Sequence, residues 1–333
     1  MRDGERAGGG PADESVPPDE PVPPADAFEL LGHEIRLATI EALAEERRES
    51  WLPQGLGFSE LREAVGVRDT GKFNYHLDQL RGSFVNQFGE EYVLTNAGFE
   101  LAGALRAGTF DQTDGDVERH AELDRTCPIC EATLEAVYEH GYLRVRCPEH
   151  DRILTTTLPP AAVRGREMAT VVYLANARTR DQVERVRAGG CPHCWGRSTV
   201  RAPAEPSEAY LRALSDRSGR DTEEREIEYD HEGDAVLAEC ACEDCGMTFW
   251  LPVSVCVAHH PAVVAYYHDN GIEMDGDYLD MEHATGSNGT VVSEDPVRIE
   301  VEVLVGDADE ALVLTLDETT EVVERETVPA DSR

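Results

Sequence analysis

The cysteines constrain this chain more than any other feature. All nine lie between residues 127 and 256, and residues 1–126 contain none. Most of them come as close pairs. Cys127-Pro128-Ile129-Cys130 is followed, after sixteen residues, by Cys147-Pro148-Glu149-His150. Cys191-Pro192-His193-Cys194 is followed further on by Cys242-Glu243-Asp244-Cys245. A C-x-x-C turn presents two thiolates to one tetrahedral ion. The proline after the first cysteine and a glycine just past the second suit such a turn. Two such halves complete a four-ligand site, so Cys127, Cys130, Cys147 and His150 are expected to form one site. Cys191, Cys194, Cys242 and Cys245 form the other, although the halves can also cross-pair.

The N-terminus has no apolar core of a secretory signal, so a reducing cytoplasm is expected, where metal is favoured over disulfide. The spacing is that of zinc ribbons. Two zinc ions are therefore the expected cofactors. Four protein ligands per ion leave no open position, which points to structural zinc. Cys240 and Cys256 remain outside these sites and are expected as buried apolar residues. His140 and His193 are read as bystanders.

Charge sets the environment. Asp and Glu total 67 against 30 Lys and Arg, a net charge of −37, and Lys72 is the only lysine. A carboxylate-rich, lysine-poor surface suits molar salt, which screens self-repulsion to a Debye length of about 3 Å. An acidic DNA mimic is the rival reading, but the excess is spread along nearly the whole chain. The apolar runs, such as 170–177, fall far short of the roughly 20 residues a membrane span needs. The balance also argues against an ordinary basic nucleic-acid binder.

Periodicity divides the chain. Residues 1–25 alternate proline with Asp and Glu and form a tail. Phe28, Leu31, Ile35, Ala38 and Ala42 then repeat at helical spacing, with Leu30, Leu37, Ile40 and Leu43 as a second stripe. That second stripe fits either a wide core face or a dimer partner. A short helix follows with Ser59 as N-cap. Asp69 caps the next helix, which turns Phe73, Leu77 and Leu80 inward and ends at Gly82. Residues 84–88 and 92–95 read as strands joined at Gly89, and Thr95 caps a last helix.

This order is that of a winged helix-turn-helix, and residues 26–110 resemble an ArsR-type domain. The resemblance rests on Leu30-Leu31-Gly32-His33-Glu34-Ile35-Arg36-Leu37, on Phe58-Ser59-Glu60-Leu61, on Asn74-Tyr75-His76-Leu77 with Leu80, and on Tyr92 through Gly98. Lys72 through Asp78, joined to a cysteine-rich half, is similar to a group of haloarchaeal regulators. The resemblance implies a dimeric transcription regulator. The metal-sensing members carry cysteine ligands within the winged helix, and this chain carries none there.

A recognition helix sends its outward side chains into the major groove. Thr70, Gly71, Lys72, Asn74, Tyr75 and Gln79 form that outward set, with Arg81 and Gln87 as candidates for phosphate or wing contacts. Asn74 can pair with adenine and Lys72 can reach guanine or phosphate. The plain alternative is a solvated helix face. His76 is read as a packed structural histidine. Residues 26–110 carry fourteen acidic and eight basic groups, the least acidic part of the chain.

The C-terminal half adds a helix over 164–187, another over 257–270 broken at Pro261, and a β-hairpin over 297–326 around Gly306-Asp307. Residues 203–234 read as an acidic insert, helical around 210–214. The fold class expected is α+β: a winged helix-turn-helix (26–110), a linker (111–126), a zinc-stapled domain with two ribbon-like modules (127–327) and a tail (328–333). The function expected is a sequence-specific regulator that binds double-stranded DNA as a homodimer. The alternative is an adaptor that docks on transcription machinery. No residue identifies an effector. No nucleophile elbow, phosphate loop or open metal site points to an enzyme.

Overall fold

Gly32 and His33 interrupt what the spacing predicts as one continuous helix. The computed structural model describes residues 24–49, 55–110, 119–127, 130–149, 151–205, 236–274, 278–281, 284, 289–306 and 308–330. In it, α1 (Pro24–Leu31) stops before Gly32 and α2 (Glu34–Glu49) starts after His33. Glycine is a poor helix former, and the imidazole Nδ1 of His33 accepts the Ile35 N–H at 3.2 Å, satisfying one of the orphan donors of α2. Phe28 is left exposed, while Ile35, Ile40 and Leu43 are buried.

The chain divides into two units, Met1–Gln112 and Thr113–Arg333. In the first, α2 packs against α3 (Phe58–Val65), α4 (Thr70–Leu80) and α5 (Asn96–Ala107). Ser59 does not cap α3 as expected. Gly57 holds that position, and the Glu60 carboxylate reaches back to accept the Gly57 N–H at 3.0 Å. The side chain at the third helical position settles the boundary, and Ser59 falls inside the first turn. Asp69 does cap α4, accepting the Lys72 N–H at 2.7 Å. Thr95 caps α5, accepting the Gly98 N–H at 3.0 Å.

A small antiparallel sheet completes this unit in the order β1 (Leu56–Gly57), β3 (Glu91–Leu94), β2 (Val85–Phe88). The two-residue β1 is too short for a periodicity signal. Gly98 allows α5 to lie on the end of the hairpin, because a Cβ there would sit 2.2 Å from the Phe84 carbonyl oxygen. One core joins these elements: Ile40, Leu61, Phe73, Leu77, Leu80 and Val85 are all fully buried.

Among the described residues, the second unit holds three antiparallel sheets. The first has the order β4 (Arg119–Thr126), β5 (Thr133–Glu139), β6 (Tyr142–Cys147), β7 (Asp151–Thr157). Residues 119–126, expected in a linker, are therefore a strand. Leu134, Ala136, Leu143 and Val145 pack with Val171, Val172 and Ala175 of α6 (Met168–Arg187). That helix starts later than the expected Arg164, because Gly165 has φ +69 and breaks the approach.

The second sheet has the order β10 (Thr248–Pro252), β9 (Leu237–Cys242), β8 (Ser198–Arg201). The third sheet runs β11 (Gly289–Glu294), β12 (Val297–Val303), β13 (Glu310–Leu316), β14 (Val322–Pro329). The expected hairpin is its β12–β13 pair, which two further strands extend to Pro329, past the expected boundary at 327. Ile299, Val301, Val303, Leu314 and Leu316 face α7 (Val253–Val257) and α8 (Pro261–Asp269) in one core. The helix expected from Val257 thus starts earlier and breaks before Pro261, whose ring cannot continue it. The helix expected around 210–214, and nearly all of the acidic insert, lie outside the described residues. No helix among the described residues is long and apolar enough to cross a membrane. The whole is a mixed α+β chain with small antiparallel sheets and two cysteine clusters.

Candidate functional site

Three cysteine turns share one backbone design. In each, the first cysteine donates its N–H to the carbonyl five residues on: Cys127 to Ala132, Cys191 to Gly196, Cys242 to Met247. In each, the residue four positions on returns its N–H to that cysteine's carbonyl: Glu131, Trp195 and Gly246. Those same three residues have φ of 61, 63 and 71, so each turn closes through a left-handed residue. Only one of the three is glycine. Gly196, which the sequence suggested for the turn, has another task. A Cβ there would lie 2.2 Å from Asp244 Oδ2, and that oxygen accepts the Arg197 N–H at 2.8 Å. Asp244 thereby clips the second turn of the cluster to the first.

The result is a quartet of thiols: Cys191, Cys194, Cys242 and Cys245, with sulfurs all within 4.8 Å of one another. Cys194 and Cys242 sulfurs are 3.6 Å apart, and those of Cys191 and Cys245 are 3.8 Å apart. Four thiolates at a metal–sulfur distance of about 2.3 Å on a tetrahedron stand about 3.8 Å apart. The quartet therefore has the geometry of a tetrahedral metal site. The ligands come from the turn before β8 and from the end of β9 with its turn, so the sheet holds both halves in register.

The electrostatics agree. Burial opposes ionisation of Cys191, yet the N–H groups of Cys194 and His193 and the neighbouring thiols outweigh it and bring its pKa down to about 7. The Gly196 N–H favours the Cys194 thiolate, but the thiols of Cys245, Cys242 and Cys191 and desolvation push its pKa up to about 12. One thiolate forms easily and the next forms against its charge. A divalent cation reverses that opposition.

The other cluster contains Cys127, Cys130 and Cys147, again within 4.8 Å, with Cys130 and Cys147 sulfurs 3.5 Å apart. Cys127 follows β4 and Cys147 ends β6, so this sheet gathers the three thiols. The expected fourth ligand, His150, lies outside the described residues. Among the described residues, Cys127 and Cys130 meet Cys147, and Cys191 and Cys194 meet Cys242 and Cys245, with no cross-pairing of these cysteines. Both can hold a metal ion. Cys240 and Cys256 are buried, and burial raises both thiol pKa values, that of Cys256 to about 12. His193 is exposed beside its turn.

In the first unit, Thr70, Gly71, Lys72, Asn74, Tyr75, Gln79, Arg81 and Gln87 are all exposed. Phe73, His76, Leu77 and Leu80 occupy the opposite, buried face of α4. Asp78 was missed by sequence reasoning and organises this surface. It accepts from Asn74 Nδ2 at 2.8 Å and pairs with Arg81 at 3.4 Å. The signal was present as the Asn74–Asp78 and Asp78–Arg81 spacings of four and three residues. Gln87 donates to the Gly89 carbonyl at 3.1 Å, and Phe88 beside it is 66% exposed.

Residues 124–322 match the family model described as a domain of unknown function, DUF7351. The chain belongs to the DUF7351 family. Residues 24–105 match a second model, the domain of unknown function DUF7347. The DUF7351 match takes in both cysteine clusters, and the DUF7347 match takes in α4 and its exposed face. No curated protein and no solved structure matches the chain.

Proposed function

We propose that this protein is a sequence-specific, dimeric DNA-binding transcription regulator with an ArsR-like winged helix at residues 26–110 and two structural zinc sites in its C-terminal half. One observation carries the reading. The α4 face exposes Lys72, Asn74, Tyr75 and Gln79, while Phe73, His76, Leu77 and Leu80 anchor its back in the core. That division is what a recognition helix needs: a rigid back and a polar front free to enter a major groove. The hairpin of β2 and β3 supplies the wing, with Gln87 and Phe88 near its tip.

In the zinc reading, both clusters are ribbon-like staples. The sulfur spacing and all-thiol donors of the quartet suit zinc, whose sites take thiolate in tetrahedral geometry. Cys127, Cys130 and Cys147 would hold the second ion, with His150 as the fourth ligand. In this reading, bound zinc would supply cross-linking and no chemistry, because four protein ligands would fill each site. The chain's own part is to gather the thiols and to clip the turns through Asp244.

The test is a pair of substitutions. Asn74 paired with adenine contributes about 1–3 kcal/mol of discrimination. Lys72→Ala with Asn74→Ala is expected to abolish specific DNA binding, measured by fluorescence anisotropy in molar potassium chloride, with an unchanged unfolding midpoint. Unchanged binding would favour the adaptor alternative, in which this face plays no part in DNA recognition.

A further inference from the structure

The corner between α1 and α2 meets the inner face of α4 at two histidine rings. His33 and His76 stack with centroids 3.9 Å apart and planes tilted by 34°. His33 Nδ1 accepts the Ile35 N–H, so that nitrogen presents its lone pair to the start of α2. His76 lies on α4 and is 6% exposed, with its Nδ1 buried and without a partner among the described residues. Around it stand His33 from the corner, Arg36 from α2, and Lys72 and Tyr75 from α4. Arg36 adds to the positive side. Its Nη2 donates to the Glu29 carbonyl at 3.3 Å, and its Nε is buried without a partner among the described residues.

A proton on His76 places a buried charge against a second imidazole, a guanidinium and the chain's only lysine. We propose that the His33–His76 stack is a proton-operated latch that holds α4 to the α1–α2 corner while His76 is neutral and lets go when His76 is protonated. The latch stands whether or not α4 reads DNA.

The direction of its pH dependence follows. Burial first, then His33, Arg36 and Lys72, lower the His76 pKa below the ordinary 6.5. A histidine held neutral in the folded state contributes fully above pH 6.5, and its contribution is lost as pH falls below that value toward the folded pKa.

The experiment is amide hydrogen exchange on the full chain in constant molar potassium chloride, between about pH 7.5 and about pH 5.5, corrected for intrinsic exchange rates. Protection of residues 70–80 is expected to fall by up to about tenfold per pH unit below 6.5 for the one proton that His76 excludes. His76→Phe keeps the ring contact and removes the titration, so it should flatten that fall. If His76→Phe does not fold, the ring signals of wild-type His76 by NMR decide, and those signals should titrate below pH 6.5. Protection that stays flat in the wild type, or falls equally in folded His76→Phe, overturns the latch. So does a His76 that titrates at or above its ordinary value.

Discussion

Asp78 draws Asn74 and Arg81 back onto the helix surface, and it places a negative charge on the face proposed to meet phosphate. Asp78→Ala should therefore tighten DNA binding a few-fold, about 1 kcal/mol, in a titration at fixed salt. Phe73 sits behind the same face with no exposure, so Phe73→Ala should cost about 3–5 kcal/mol in a denaturant melt. Glu131 is held at φ 61 only because its cysteine turn closes there. An L side chain in that region costs roughly 1–2 kcal/mol. Glu131→Gly should raise the chelator concentration needed to strip the adjoining cluster, and a lowered concentration would contradict the turn analysis. At this scale the clustered cysteines and the exposed α4 residues were legible, since spacing alone places them. Asp78, Asp244 and the His33–His76 stack were not. Each acts through a contact between side chains, or between a side chain and a backbone, that periodicity does not describe.

At the scale of elements, apolar spacing found the inward face of α4 and the caps at Asp69 and Thr95. It failed where a local contact overrode it. His33 ends one helix and starts another, Glu60 moves the start of α3 to Phe58, and Gly165 delays α6 to Met168. Among the strands, only the β2–β3 and β12–β13 pairs were read from the pattern; β1 is two residues long, β4 lies in a polar stretch, and β5 to β11 and β14 were not read. The thiol quartet lies at one end of the sheet of β8, β9 and β10, because Cys242 ends β9 and Cys191 precedes β8. Metal removal should raise amide exchange across residues 237–252 while α2 through α5 keep their protection. Equal protection with and without chelator would deny the staple.

Over the whole molecule, the −37 charge leads us to propose that stability depends on salt. Lowering ionic strength lengthens the Debye length from about 3 Å at 1 M to about 30 Å at 0.01 M, so carboxylates then repel across the chain. The cooperative unfolding transition should weaken and then vanish on dilution, and a transition kept intact at low salt would remove the molar-salt account. The same salt weakens the counterion release that drives ordinary DNA binding, so in the proposed function base contacts and dimer symmetry would have to carry recognition. The most direct measurement of the central claim is selection of genomic DNA fragments by the purified, metal-loaded protein in molar potassium chloride, followed by sequencing. An enriched inverted repeat, lost in the Lys72→Ala, Asn74→Ala double variant, is the predicted result. A folded, metal-loaded protein that enriches no sequence would contradict it.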